Sequence, residues 1–362
     1  MARRALVAAG LLALALSACG GDDSSDDDGK APSGSQPFLG VTSGALTKPG
    51  APLESEVKVM AESGVTAMRM PFYWNNIEPQ RGRFDFGAID RFVAATAKQH
   101  IELLPIALRT PPWAAKHPKL DNSPPANTSD YAQFLTGLIK RYGPQGSFWK
   151  ENPKLPKQPI ETWQLWNEPN HDHYWSDQPY AAGYVALARA ASSAIHKADP
   201  NATVVAAGFA DRSWESISQI YRAGAKGVFD AIAIHPYTFE VRNVLRLVEY
   251  ARRSLRRAGD PDQPLWLTEV TWSSGKRAGH MPYPFETTVP DQAKRLGEAL
   301  PLLIRKRKQL GIARIFWENW LSTDSNHQNP FDFSGLRVLE PNNSVREKPS
   351  FDVFKQIALA QG

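Results

Sequence analysis

Glu161-Thr162-Trp163-Gln164-Leu165-Trp166-Asn167-Glu168-Pro169-Asn170 opens as a strand and stops abruptly. The run from Ile160 to Trp166 alternates and is rich in β-formers. Pro169 has no N–H to give to a sheet ladder and biases Glu168 away from helix, so the strand ends there. One carboxylate is thereby held at a strand tip, with an amide before it and a rigid break after it. Taken alone, the stretch also suits an ordinary turn. The residues on either side decide.

Outward from that strand one unit repeats: a short apolar strand, a loop with polar and aromatic residues, an amphipathic helix. The candidate strands are 38–41, 66–70, 102–107, 160–166, 203–207, 230–234, 265–268 and 313–317. Ser129-Asp130 reads as the cap of a helix whose apolar face is Phe134, Leu135, Leu138 and Ile139, ending before Gly143-Pro144. Residues 180–197 form an Ala-rich helix that ends at Asp199-Pro200. Residues 241–257 bury Val244, Leu245, Val248 and Leu255, and residues 291–310 bury Leu296, Leu300, Leu303 and Ile304, with Pro301 expected to kink the last. Strands alternating with helices imply a parallel sheet. Eight such units over about 320 residues predict a single-domain (β/α)8 TIM barrel with some long loops. The competing open doubly wound sheet lacks support, because no Gly-x-Gly-x-x-Gly or phosphate loop follows any strand.

The chain has 362 residues, 42% hydrophobic and 22% charged, which is ordinary for a globular protein. Met1-Ala2-Arg3-Arg4, the apolar run 5–16 and Leu16-Ser17-Ala18-Cys19 read as a signal peptide too short to remain as a membrane span. Leu16-Ser17-Ala18-Cys19 resembles a bacterial lipobox, which implies cleavage before Cys19 and lipid on its thiol. Residues 1–18 are thus expected to be a lipoprotein signal peptide, 19–36 a flexible Asp/Gly/Ser tether, and 37–362 the barrel, anchored outside the cytoplasm through Cys19. Cys19 is the only cysteine, so neither an intrachain disulfide nor a cysteine nucleophile is available. Without Arg3 and Arg4 the net charge falls from +5 to +3, too small to argue for nucleic acid. Arg242, Arg246, Arg252, Arg253, Arg256 and Arg257 make 241–257 a basic helix, expected as a solvated outer face of a monomer.

In such a barrel the active site lies at the C-terminal ends of the strands. Those ends carry Arg69, then Trp113 after Thr110-Pro111-Pro112, then Asn167-Glu168, His235-Pro236-Tyr237, Glu269 with Trp272, and Trp317-Glu318-Asn319-Trp320. Two carboxylates facing each other across a cleft are what glycoside hydrolysis needs: one protonated to serve the leaving oxygen, one ionised to attack the anomeric carbon. Beside Arg69, Glu269 would keep its charge. Glu168, sharing the site with that charge, would hold its proton. Tyr237 could orient Glu269, Asn167 could bond the sugar 2-hydroxyl, and Trp317 could floor the reacting sugar. Eleven Trp is many for this length; Trp113, Trp175, Trp272 and Trp320 are candidate stacking surfaces for sugar rings. His171-Asp172-His173 has metal-like spacing but no third convergent ligand, so it reads as a loop lining the cleft, and no metal or cofactor is expected.

Asn167-Glu168 after the fourth strand and Glu269 after the seventh resemble clan A glycoside hydrolases, the retaining enzymes built on this barrel. That resemblance implies Glu168 as acid/base and Glu269 as nucleophile. His235-x-Tyr237 and Arg69 are similar to family 5 motifs, while Trp166-Asn167-Glu168-Pro169-Asn170 with Tyr174-Trp175 looks like family 39. Trp74-x-x-Ile77-Glu78-Pro79-x-x-Gly82-x-Phe84-Asp85 and Gly335-Leu336…Lys348-Pro349 also recur in these families. The resemblance covers residues 36 to 360 and implies a carbohydrate substrate. A non-catalytic carbohydrate-binding lipoprotein and a transglycosylase using the same site are the rival readings.

Overall fold

All eight strands of the repeat form, as β1 (Leu39–Thr42), β2 (Ala67–Tyr73), β3 (Glu102–Leu108), β4 (Thr162–Leu165), β5 (Thr203–Val205), β6 (Ile232–Ile234), β7 (Leu265–Val270) and β8 (Ile312–Glu318). The structure, a computed structural model, describes residues 38–48, 50–276 and 285–361. The signal peptide, Cys19 and the tether lie outside the described residues, as does part of the loop after β7. The strands pair in parallel in the order β5-β4-β3-β2-β1-β8-β7-β6, and single bridges Val205–Ala231 and Phe209–Ile234 close the remaining seam. This is a (β/α)8 barrel.

The surrounding helices are α1 (Leu53–Glu62), α2 (Trp74–Ile77), α3 (Gly87–Lys98), α4 (Thr128–Tyr142), α5 (Ser147–Glu151), α6 (Ala181–Ala198), α7 (Ser213–Arg222), α8 (Val241–Arg257), α9 (Val289–Leu310) and α10 (Pro349–Leu359). A small second sheet, β9 (Leu321–Ser322), β10 (Arg337–Leu339) and β11 (Val345–Glu347), follows β8 and has no counterpart in the sequence reading. The start of α4 also differs. Asn127 holds the cap position without a side-chain bond, and Asp130 instead accepts two bonds from Arg81 at 2.5 and 3.0 Å. A tertiary ion pair has taken the acid that the sequence assigned to the cap.

Side chains alternate between the barrel's inside and its helical jacket. The floor of the interior is a small cluster of Ala67, Leu104, Val205, Ala231, Ala233, Trp266 and Phe316. Trp266 and Phe316 stack with centroids 6.4 Å apart, and Gly40 is needed beside them because a Cβ there would come within 2.6 Å of the Phe316 ring. This plug fixes the parity of each strand. Two residues above it stand Arg69 on β2, Thr268 on β7 and Glu318 on β8.

Arg252 is the exception on the basic helix α8. It is 4% exposed, not solvated, and its guanidinium donates to the carbonyls of Pro261, Gln263, Leu310 and Gly311 at 2.7–3.2 Å. It thereby ties α8 to the end of α9, where the helix has orphan carbonyls. Arg252→Met should leave these carbonyls unpaired and cost about 2–4 kcal/mol, whereas the neighbouring Arg253→Met should stay within about 0.5 kcal/mol. Urea denaturation of the two variants checks this; equal midpoints would refute the role given to Arg252.

Candidate active site

Above the apolar plug the inward layer turns polar. Arg69, 1% exposed, donates from Nε to Gln164 Oε1 at 2.7 Å, from Nη2 to Asn167 Oδ1 at 2.9 Å and from Nη1 to Glu269 Oε1 at 2.7 Å. One guanidinium so joins β2, the end of β4 and β7 through charge-assisted bonds. Gln164 passes the connection on by donating to Ala206 O at 3.0 Å.

Two departures from strand geometry aim the acids. After Leu165 the backbone turns left-handed at Trp166 (φ 71°) and again at Glu168 (φ 39°), a conformation uncommon for residues with side chains and enriched at functional sites. Trp166 is thereby packed outward against Tyr131 and Trp175. On β7 the register against β8 shifts between Leu267 and Val270. Thr268 and Glu269 are consecutive, yet both reach the site, as a regular strand would not allow.

Glu168 Oε1 lies 2.6 Å from His235 Nδ1, and His235 Nε2 lies 3.0 Å from Thr268 Oγ1 and 3.5 Å from Glu269 Oε1. Gly208 makes room for the ring: a Cβ there would fall 1.8 Å from His235 Nε2. Tyr237 donates its phenolic O–H to Glu269 Oε2. One ligand atom each from Glu168, His235 and Glu269 lie within 4.8 Å of one another. Such spacing suits a cation. However, Arg69 and Tyr237 already hold both oxygens of Glu269, and a cation would face the guanidinium. The donor set fits a hydrogen-bonded acid pair instead.

Burial pushes the Glu269 carboxyl up, but the charges of His235 and Arg69 and the bonds from Tyr237 and Arg69 outweigh it and hold Glu269 below the ordinary carboxylate range. Burial pushes the Tyr237 phenol well up, aided by the charge of Glu269, so it stays a donor. Glu318 is driven the other way from Glu269. Its burial, with the negative charge of Glu269 beside it, raises it to about 8. Glu318, which the sequence reading placed only among the strand-end residues, is thus a carboxyl whose surroundings hold a proton.

Arg69, Asn167, Glu269 and Glu318 line a cleft of about 370 Å³, and Glu168, His235 and Tyr237 stand behind that lining. Its aromatic surfaces are Tyr73, Tyr174 and Phe331, and the loop 321–335 walls it through Ser322, Asn329, Phe331 and Asp332. The tryptophans expected as sugar platforms are elsewhere. Trp317 is fully buried, because Phe316 and Glu318 take the inward parity of β8; its indole N–H donates to Ser334 O at 3.2 Å. Trp272 is 1% exposed and donates to Phe239 O, Trp175 is 2% exposed against Trp166, and Trp320 is buried on Glu56. Trp113 lies edge-on to Trp74 with the Arg81 guanidinium over its face. Glu78 fixes the second loop, accepting from Trp74 Nε1 and Gly82 N, both at 2.7 Å. His171 pairs with Asp211 at 3.2 Å while His173 stacks on Tyr174, so the two histidines do not converge.

Residues 48–130 match the family model described as Beta-galactosidase (glycosyl hydrolase 42), a stretch that includes Arg69 and Glu78. No curated protein matches in sequence. Similar solved structures include a family 39 glycoside hydrolase from Bacteroides cellulosilyticus WH2, with 18% identity over 88% of this chain and 63% of that one and a TM-score of 0.62. The chain thus spans less than two thirds of that protein. A monomeric beta-xylosidase from Caulobacter crescentus CB15 has 18% identity, coverage of 88% and 67%, and a TM-score of 0.60. The GH53 catalytic domain of Ignisphaera aggregans has 19% identity, coverage of 88% and 96%, and a TM-score of 0.60. At these identities the likeness is one of fold.

The raised Glu318 has a consequence for stability. Between the ordinary glutamate value of 4.5 and about 8, the folded chain keeps a proton that the unfolded chain has lost. Stability from this group therefore falls as pH rises through that window. Glu318→Gln should raise the melting temperature by several degrees at neutral pH, with the gain vanishing below the glutamate range. A difference independent of pH in calorimetry would contradict this.

Proposed function

We propose that the chain is a retaining glycoside hydrolase that cleaves β-glycosidic bonds in oligo- or polysaccharides or simpler glycosides. The observation that carries the reading is that one carboxyl oxygen of Glu168 and one of Glu269 lie within 4.8 Å of each other, an approach that leaves no room for a water between them. Retaining pairs stand about 5–5.5 Å apart, while inverting pairs need about 6.5–9.5 Å to admit a water. The barrel, the position of both acids at strand ends and the family match over 48–130 support the same reading. The β configuration rests on the printed activities of similar structures, such as a beta-xylosidase and an exo-beta-1,4-mannosidase. We infer from the lipobox that the enzyme works outside the cytoplasm, tethered at Cys19.

In this mechanism Glu269, kept ionised by Arg69, attacks the anomeric carbon while Glu168 gives its proton to the departing oxygen. The glycosyl ester on Glu269 forms as the glycosidic bond breaks. Glu168, now a carboxylate, takes a proton from water; that water attacks the same carbon from the vacated face and frees Glu269. His235, at 2.6 Å, steers Glu168 through both steps. With its carbonyl end taken by Arg69, Asn167 has its NH₂ end for the 2-hydroxyl.

Glu269→Ala should reduce turnover to background, and azide should restore it as a glycosyl azide of inverted configuration. Glu168→Ala should lose roughly 10²–10⁴-fold on substrates with poor leaving groups, and azide should give the retained product. Proton NMR of the first-formed sugar should show retention. An inverted first product, or undiminished activity of Glu269→Ala, would overturn the assignment.

A further inference from the structure

The two-acid mechanism makes no use of Glu318, yet the fold sets it in the same cleft. Glu318 is 9% exposed, and its Oε2 is buried with no hydrogen-bond partner among the described residues. Its register partner across the β1–β8 ladder is Thr42, whose buried hydroxyl lies against the Glu318 carboxyl. Both residues line the cleft beside Glu269 and Asn167. An unpaired buried polar group costs free energy and is rare in a folded chain. The Glu318 carboxyl has one oxygen without a partner, and with its Thr42 neighbour it belongs to the lining of the cleft, where a bound hydroxyl would satisfy it.

The charged and titratable groups that face Glu318 are Glu269 on β7, Glu168 past β4, Arg69 on β2 and the phenols of Tyr73, Tyr174 and Tyr237. Lys48 and Asp332 border the same cleft. Arg69 is held by Gln164, Asn167 and Glu269, and Asp332 by Thr323, Ser325 and Asn326.

We propose that Glu318 and Thr42 together bind one hydroxyl of the sugar that reacts with Glu269, and so select an uncharged glycone carrying that hydroxyl. The inference rests on the glycosidase reading. The neutral carboxyl donates its O–H to the sugar oxygen, and Thr42 Oγ1 accepts the sugar's own O–H. A glycone with a carboxylate there would instead meet the negative charge of Glu269. Ionisation of Glu318 near its raised value of about 8 removes the donor and sets a second negative charge against the nucleophile.

The test is kcat/KM on para-nitrophenyl β-xyloside, glucoside, galactoside, mannoside and glucuronide, and on the monodeoxy forms of the best of them, at pH values on both sides of the Glu318 titration. Wild type, Glu318→Gln, Glu318→Leu and Thr42→Val are compared. Glu318→Leu should lose roughly 10²-fold or more, as expected when a site built to bond a hydroxyl loses its partner. Thr42→Val and Glu318→Gln should lose about tenfold, near the value of one hydrogen bond. One monodeoxy glycoside should be turned over equally by wild type and variants, and the glucuronide should be the poorest substrate. The alkaline limb of the wild type reports the protons of both Glu168 and Glu318, so Glu318→Gln should shift that limb and leave the fall that Glu168 sets. Losses equal on every deoxy substrate, or an alkaline limb unchanged in Glu318→Gln, overturn the proposal while leaving the hydrolase standing. Absence of product from every glycoside with wild type overturns the hydrolase reading, and this one with it. Should Glu318→Leu fail to fold, the near-isosteric Glu318→Gln and Thr42→Val carry the same comparison.

Discussion

The site depends on one buried guanidinium. Arg69 is enclosed inside the barrel and balances the charge of Glu269, while its other nitrogens fix Gln164 and Asn167. Burying a charge is costly unless it is paired and hydrogen-bonded on all sides. Each bond therefore constrains position as well as energy: β2, β4 and β7 must stand at the separation that lets one planar group reach all three acceptors. The placement of the acid pair follows from this. Glu269 can stay ionised at that depth because Arg69 and Tyr237 hold one oxygen each. Other features concede stability to the same arrangement, including the left-handed backbone at Trp166 and Glu168 and the unpaired oxygen of Glu318.

Much of the architecture was legible because it follows from periodicity. Eight apolar strands alternating with amphipathic helices leave little besides a barrel, and a charged residue at the end of an apolar strand, as at Arg69 and Glu269, stands out against its neighbours. Pro169 marked the end of β4 for a purely local reason. The errors came where tertiary packing overrides local chemistry. Tryptophans in loops after strands suggested sugar platforms, but the largest side chains were needed to fill the jacket around the barrel. Parity along β8 would have sorted Trp317 from Glu318 once the floor was known. Phe316 lies inward against Trp266, so the residue after it faces out and Glu318 faces in. That fact requires the partner strand, which the sequence does not identify. The register shift on β7 and the left-handed turns at the end of β4 have no signature in residue type. Arg252 looked like one of six surface arginines; only the carbonyls at the end of α9 distinguish it.

Glu269 and Glu318 show how one fold gives the same chemical group different states. Glu269 has a cation and a phenol on its oxygens and stays charged. Glu318 has neither; it has burial and the charge of Glu269, and it stays protonated. Glu168 differs from both in having a histidine, His235, at 2.6 Å, and it is more exposed than the histidine behind it. A proton cycled in each turnover needs a route in and out, and of the two acids that can carry one, only Glu168 has a relay in contact with it. Glu318 has no such relay, so its proton is suited to binding and not to transfer. On the proposed mechanism, then, the division of labour comes from what each carboxyl touches. It also explains why a third acid can sit beside the reacting pair without disturbing it: kept neutral, Glu318 adds no charge to repel the nucleophile, and it leaves Arg69 to balance Glu269 alone.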